Sequence, residues 1–182
     1  NVIDFFGMYF WQMQEFKVYQ ILTHIFVHNA WTEYGKIDFT HIFSNMLGLF
    51  MFGSTLEHFW GAKKFLFYYF FSALGAAFLE QLVWFITGTN AAIAIGASGA
   101  IFGLLLAYGM MFPNEKIYFY FVLPIKAKYF VIFYGLAELF FGVARFSNDN
   151  VGHFAHLGGL VFGLILMLYW RKKGKLYNGT IR

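Results

Sequence analysis

The stretch Gly96-Ala97-Ser98-Gly99-Ala100 stands at the head of one apolar run, and Ala155-His156-Leu157-Gly158-Gly159 lies in a later one. Each stretch sets one polar side chain, a hydroxyl or an imidazole, among small residues inside a segment of bilayer length. Polar and ionisable groups inside a membrane are costly, so they indicate function by default. A serine and a histidine placed in this way predict a membrane protein that carries out serine hydrolysis within the bilayer.

The composition of the 182-residue chain indicates that much of its surface faces lipid. Hydrophobic residues make up 60% and charged residues only 12%, whereas about a quarter of the residues are charged in an ordinary soluble domain. The chain has no cysteine, which excludes disulfides and cysteine-based zinc sites. The net charge of +4 could suggest nucleic-acid binding, but the basic residues lie at the ends of apolar runs. That placement is typical of membrane orientation, so we predict no nucleic-acid partner.

The apolar runs predict an all-α, polytopic transmembrane helical bundle. They are long and lack the period of two that membrane barrel strands require. The first 37 residues mix polar and aromatic side chains, which predicts an interfacial, partly helical outer segment. The five predicted spans are residues 39–60, 65–87, 96–112, 127–144 and 152–170. We therefore expect three parts, namely an outer segment over 1–37, a membrane bundle over 38–171 and a basic tail over 172–182.

The distribution of lysine and arginine predicts how the bundle is oriented. If the five runs alternate in direction, the three main basic clusters lie on one side of the membrane. These clusters are Lys63-Lys64, the group Lys116, Lys126 and Lys128, and the group Arg171, Lys172, Lys173 and Lys175. The positive-inside rule makes this side cytoplasmic, which places the C-terminus inside and residue 1 outside. An odd number of spans that starts outside leads us to expect that a preceding helix is absent from this sequence.

Counting residues along the runs predicts that three helices deliver polar groups to one layer. At 1.5 Å per residue, Ser98 and His156 each lie about 22 Å above the inner end of their run. Asn45 lies about 24 Å above the inner end of its own run, with His41 one turn higher. In a hydrocarbon core about 30 Å thick, this layer lies just below the outer surface.

Small residues at four-residue spacing predict close contact between the helices that carry Ser98 and His156. Gly99 and Gly103 lie on one helix, and Gly159 and Gly163 on the other. Stripes of this kind let two helix backbones approach closely.

The resulting constellation predicts nucleophilic catalysis. A histidine beside a serine hydroxyl can take its proton, and free N–H groups at the start of a helix favour a developing oxyanion. Asn45 and His41 share a helix face and could donate to the same oxygen. No carboxylate obviously accompanies this layer, so a Ser–His dyad is the more economical prediction than a triad.

With these motifs the chain resembles the rhomboid intramembrane serine proteases, over most of residues 20–165. The matching pieces, in the family's order, are His41–Asn45, Phe52–Glu57 with Gly61 and Phe65, Gly96–Gly99, and Ala155–Gly159 with Gly163. The resemblance implies that Ser98 is the nucleophile and His156 the general base. It also implies an oxyanion hole made by the Ser98 amide with the His41 and Asn45 side chains. Phe102 stands where some members have a tyrosine that stacks on the catalytic histidine.

The resemblance also implies a substrate and a location. Members cleave single-span membrane proteins within or near the outer part of the transmembrane helix, in the lipid bilayer and without a metal or other cofactor. Together with the charge distribution, this suggests a multi-pass protein of a bacterial plasma membrane. The sequence leaves the oligomeric state and the identity of the substrate open.

Other histidines allow competing assignments of the site. His153 is a second candidate for the general base, although we favour His156. His24 and His28 could bind zinc together with His41, but their spacing lacks a typical signature. We therefore predict that His24 and His28 make structural hydrogen bonds, and we predict no metal site.

Two other functions remain as hypotheses. A non-catalytic rhomboid-like protein that binds membrane helices is the main alternative to a protease. The second is a small transporter, in which Glu80 and Glu138 inside their runs would form part of a proton path.

Overall fold

The structure, a computed structural model, describes residues 2–31, 36–89, 93–119, 122–144 and 152–176. Its elements in chain order are α1 (Val2–Phe6), β1 (Met8–Tyr9), α2 (Gln20–Thr23), a 3₁₀ turn (His24–Phe26), α3 (Thr40–Gly48), a π-helical turn (Leu49–Gly53), α4 (Ser54–Trp60), α5 (Ala62–Thr87), β2 (Ile93–Ala94), α6 (Ser98–Met111), β3 (Lys116–Phe119), β4 (Leu123–Lys126), α7 (Ala127–Ala144) and α8 (His153–Lys172).

Three of the described helices, α5, α7 and α8, are long and apolar enough to cross a bilayer. The prediction of a polytopic helical membrane bundle is therefore confirmed. Helix α6 is also apolar but has only 14 residues, which gives it a length of about 21 Å. A hydrocarbon core is about 30 Å thick. If its inner end reaches the cytoplasmic face, α6 therefore begins below the outer surface, and Ser98 is recessed.

The first predicted run, 39–60, is helical along its length but is not one regular α-helix. Helices α3 and α4 are joined by five residues, Leu49–Gly53, in π-helical winding. Such turns are rare and often lie near functional sites. Apolar length predicted this segment, but it carries no information about a local change of winding.

The outer segment is fastened to the bundle by hydrogen bonds. Strand β1 pairs antiparallel with β2, just before α6. On α5, the side chain of Gln81 donates to the carbonyl of Tyr9 at 2.7 Å and accepts from the N–H of Trp11 at 3.0 Å. The N–H of Gly96 donates to the carbonyl of His24 at 2.9 Å. The turn that leads into α6 is thus tied to the residues that cover it.

The glycine stripes of α6 and α8 meet at the centre of the bundle. A Cβ atom on Gly159 would overlap the backbone carbonyl of Gly99, and one on Gly163 would lie 2.5 Å from the hydroxyl oxygen of Tyr68. That hydroxyl donates to the carbonyl of Gly103 at 2.9 Å. The three helices α5, α6 and α8 are therefore packed at a distance that only small residues permit.

The connection between α6 and α7 contains a feature that the sequence analysis did not predict. Strands β3 and β4 form an antiparallel hairpin in which Lys116 pairs with Lys126. Two of the predicted inner-side lysines therefore lie on one short ribbon.

Candidate active site

The structure brings Ser98 and His156 into hydrogen-bond distance. Ser98 is the first residue of α6, and His156 lies one turn into α8. His156 Nε2 is 2.8 Å from Ser98 Oγ. His156 is only 8% exposed, and Ser98 is partly buried. With its hydrogen on Nδ1, the imidazole can accept the serine proton at Nε2. The pair therefore has the contact that a nucleophile and its base require.

The ring of Phe102 fixes the plane of the histidine. It lies one turn after Ser98 on α6 and stacks on His156, with ring centroids 4.2 Å apart and an interplanar angle of 10°. The ring therefore takes the position that the family resemblance assigned to a stacking aromatic residue.

The two predicted oxyanion donors lie on α3, but the structure places them differently. A Cβ atom on Gly96 would lie 2.7 Å from His41 Nε2, so the His41 ring lies against the turn before Ser98. Asn45 is buried one turn further along α3, and its amide nitrogen donates to the His41 carbonyl at 2.8 Å. The amide group has a second N–H that this bond does not use. Its carbonyl oxygen is buried and has no hydrogen-bond partner in the part of the chain that the structure describes.

Two histidines of the outer segment support this side of the site. The rings of His28 and His41 meet edge to face, with centroids 5.1 Å apart. Burial and then the neighbouring His41 lower the pKa of His28 below its usual 6.5, which keeps it neutral at neutral pH. Neutral His28 accepts from the N–H of Ala97 at 3.4 Å. Burial likewise lowers the pKa of His24, whose Nδ1 lies 2.9 Å from the carbonyl of Gln20. These contacts agree with structural hydrogen bonding.

A carboxylate lies beside the pair, so the expectation that none accompanies this layer is wrong. Glu138 Oε2 on α7 is 3.1 Å from His156 Nδ1 and 2.5 Å from His153 Nδ1. Depth counting could have found it, because Glu138 lies about 16 Å above the start of its run. That is within one side-chain length of the predicted Ser98 layer. From the sequence, Glu138 is expected to bond backbone or water within the bundle, or to serve in a transporter's proton path, and nothing in the sequence pairs it with His156.

A cavity of about 350 Å³ adjoins the site between the outer segment, α3 and α5. It reaches the site at His28 and Ala97, and the rest of its lining is aliphatic or aromatic. A water-filled opening toward the outer loops, which hydrolysis requires, remains a prediction.

Comparison with known proteins identifies the family. Residues 15–173 match the Rhomboid domain. The chain belongs to the rhomboid family. It is 33% identical over 140 residues to Rhomboid protein 1, mitochondrial, of Saccharomyces cerevisiae. The aligned residues cover 74% of this chain and 39% of that protein. It is 30% identical over 162 residues to YdcA of Bacillus subtilis, covering 87% of this chain and 71% of YdcA. RHOMBOID-like protein 12, mitochondrial, of Arabidopsis thaliana is 27% identical over 169 residues, covering 86% of this chain and 47% of that protein.

Membership of the rhomboid family has defined consequences. The chain is an integral membrane protein and a rhomboid-type intramembrane protease or pseudoprotease. Family members act on transmembrane substrates in a lipid bilayer. The relatives include proteins named as mitochondrial, so family membership alone does not assign a bacterial membrane.

Gly96 offers a direct test of the His41 side of the site. Its φ is +106°, which strains any residue with a Cβ, and the added methyl group would displace His41. We expect Gly96→Ala to lower the turnover number of substrate cleavage about 100-fold, the size of a lost oxyanion donor. Gly88→Ala is the matched control, because Gly88 also has a positive φ, of +67°, but an added Cβ there meets no atom of the described residues within 4 Å. Equal activity of the two variants would remove His41 from the mechanism.

Proposed function

We propose that the chain is an intramembrane serine endopeptidase that cleaves single-span membrane proteins within or near the outer part of their transmembrane helix. The observation that carries this proposal is the 2.8 Å contact between His156 Nε2 and Ser98 Oγ. A pseudoprotease has no need to keep a hydroxyl and an imidazole in this arrangement at the start of a recessed helix.

The first chemical step forms an acyl-enzyme. Ser98 Oγ attacks the carbonyl carbon of the scissile peptide bond while His156 Nε2 takes the hydroxyl proton. The oxyanion lies near the free N–H of Ser98 at the start of α6, with His41 and Asn45 as further donors. When the C–N bond breaks, His156 returns the proton to the leaving amine.

The second step releases the product. His156 takes a proton from a water molecule, which attacks the ester carbonyl of the acyl-enzyme. The C–O bond to Ser98 then breaks, and the proton returns to Ser98 Oγ. This step requires water at a depth that lipid would otherwise keep dry, so we infer a hydrated opening beside the recessed start of α6.

The proposal includes an arrangement in the membrane. Residues 38–171 form the catalytic bundle, residues 1–37 form the outer segment, and the basic residues over 172–182 form a cytoplasmic tail. The part of this tail after residue 176 lies outside the described residues. The positive charge at the end of α8, with Arg171 and Lys172 in its last turn, supports a cytoplasmic C-terminus. We place this bundle in a bacterial plasma membrane.

A fluorophosphonate probe tests the nucleophile and the base together. The probe phosphonylates a serine only when a neighbouring base activates it. We expect Ser98 to be labelled, His156→Ala to abolish labelling, and His153→Ala to keep it. The modified residue is identified by peptide mass spectrometry of the detergent-purified protein.

Two results would contradict the proposal. Labelling that survives in His156→Ala but disappears in His153→Ala would make His153 the base. A folded wild-type protein that takes no label and cleaves no substrate in liposomes would be a helix-binding pseudoprotease.

A further inference from the structure

The carboxylate of Glu138 contacts the one ring nitrogen of His156 that Ser98 does not use. We propose that Glu138 is a positioning residue for His156, so that the site works as Ser98–His156–Glu138 and not as a dyad. The inference rests on the proposed function and concerns how the base of that same site is held.

The imidazole ring of His156 contacts Ser98 through one nitrogen and Glu138 through the other. Ser98 Oγ is 2.8 Å from His156 Nε2, and Glu138 Oε2 is 3.1 Å from His156 Nδ1. A carboxylate at Nδ1 selects the tautomer with its hydrogen there, which leaves Nε2 free to accept the serine proton. It also stabilises the imidazolium that forms during attack.

Among the described contacts of His156, the one with Glu138 can select the tautomer of the ring. Stacking by Phe102 fixes the plane of the ring, but it does not choose between the two tautomers. The Nδ1 atom is buried and has no well-aligned hydrogen bond to any described residue, although Glu138 Oε2 lies within ion-pair distance. Hydrogen bonds in empty catalytic sites are often poorly aligned and tighten once the substrate is bound.

A carboxylate on a membrane-spanning helix costs free energy, so the position of Glu138 requires a specific partner or function. Helix α7 is a membrane-capable helix, and its neighbouring residues Leu136, Leu139 and Phe140 are exposed on the surface of the bundle. Glu138 itself is turned inward and is only 8% exposed. An intramembrane carboxylate usually pairs with a specific partner and marks a functional path.

His153 provides the competing explanation. Its Nδ1 is 2.5 Å from the same oxygen of Glu138, so the carboxylate could serve only to fasten the start of α8. The two roles are separable, because His153 can be removed while Glu138 and His156 stay. If the Glu138–His153 pair is only structural, removing either residue should lower activity equally. If Glu138 positions His156, only the removal of Glu138 should lower activity.

The test compares Glu138→Gln with His153→Gln in proteoliposomes that contain a single-span substrate. We expect Glu138→Gln to lower kcat at least about 100-fold with KM within about twofold, since loss of the carboxylate from a serine-protease triad costs about 10⁴ in turnover. The rate of fluorophosphonate labelling of Ser98 should fall in parallel. We expect His153→Gln to keep kcat within about threefold, because Glu138 still faces His156.

A conservative variant and a folding measurement keep the test decisive. Glu138→Asp keeps the charge but withdraws it by one methylene group, so its kcat should lie between those of the wild type and Glu138→Gln. Labelling rates are expressed per mole of protein that elutes as a folded species, so a partly unfolded variant still reports on its folded fraction.

Several outcomes would overturn the inference. Equal loss of kcat in Glu138→Gln and His153→Gln would make the carboxylate purely structural, and unchanged kcat in Glu138→Gln would leave the dyad sufficient. The ligand atoms of Glu138, His153 and His156 also lie within 4.8 Å of one another, so activity that changes on adding EDTA would indicate a metal site instead. In each case labelled and active wild-type protein would leave the proposed function standing.

Discussion

Replacing Ser98 by alanine is expected to abolish cleavage of a single-span membrane substrate while the bundle stays folded. The variant removes the one oxygen that attacks the peptide bond, and loss of such a nucleophile lowers kcat by at least about 10⁴-fold in serine proteases. The structural cost is modest, because the change removes the hydrogen bond to His156 Nε2, and an unsatisfied buried acceptor costs about 1–3 kcal/mol. Cleavage is measured by mass spectrometry of the products in proteoliposomes, and folding by thermal unfolding in detergent.

A matched serine provides the control for this result. Ser54 is an exposed residue at the start of α4 whose hydroxyl donates to the carbonyl of Phe50 in the preceding π-helical turn. Ser54→Ala should therefore cleave at the wild-type rate. If Ser98→Ala cleaved the substrate as fast as Ser54→Ala, the serine mechanism would be wrong.

Apolar length predicted the helices that lie in a uniform environment. The run 127–144 coincides with α7, and the run 152–170 corresponds to α8 at His153–Lys172. In both, the limits follow from where apolar residues give way to polar or charged ones, and lipid imposes that limit directly. The period and length of the pattern therefore suffice for these elements.

Features set by tertiary contact escaped this reasoning. The π-helical turn at Leu49–Gly53 and the hairpin of β3 and β4 depend on neighbours that are distant in the sequence. Their apolar content is the same as that of an ordinary span or loop. Hydropathy averages over such local changes of winding, so the sequence predicts the segment but not its internal form.

In the candidate site, too, the sequence predicts some features, and others depend on tertiary contacts. Depth counting predicted that Ser98 and His156 share a layer, because both lie a fixed number of residues from a clear boundary. It did not predict which way each side chain points, and this orientation brings Glu138 to His156. A single carboxylate in an apolar run has several equally economical explanations until its helix is rotated into place.

The close contact of α6 and α8 makes Gly159 the most informative packing position. A Cβ atom there would overlap the Gly99 carbonyl, in a turn of α6 that begins one residue earlier with Ser98. The helices can accept an added methyl group only by moving apart, and such overpacking costs about 1–3 kcal/mol. Because His156 lies one turn before Gly159, the same movement would lengthen the bond between His156 and Ser98.

We therefore expect Gly159→Ala to lower both stability and activity. The free energy of unfolding should fall by about 1–3 kcal/mol, and kcat should fall more than about 100-fold, since displacement of a reacting group by 1 Å costs about that much. The measurements are SDS titration in mixed micelles and cleavage in proteoliposomes. Gly135→Ala on α7 is the control, because its Cβ would make an ordinary 3.5 Å contact with Leu160 and alanine favours helix. If Gly159→Ala were as stable and active as Gly135→Ala, the glycine stripes would not hold the serine and the histidine together.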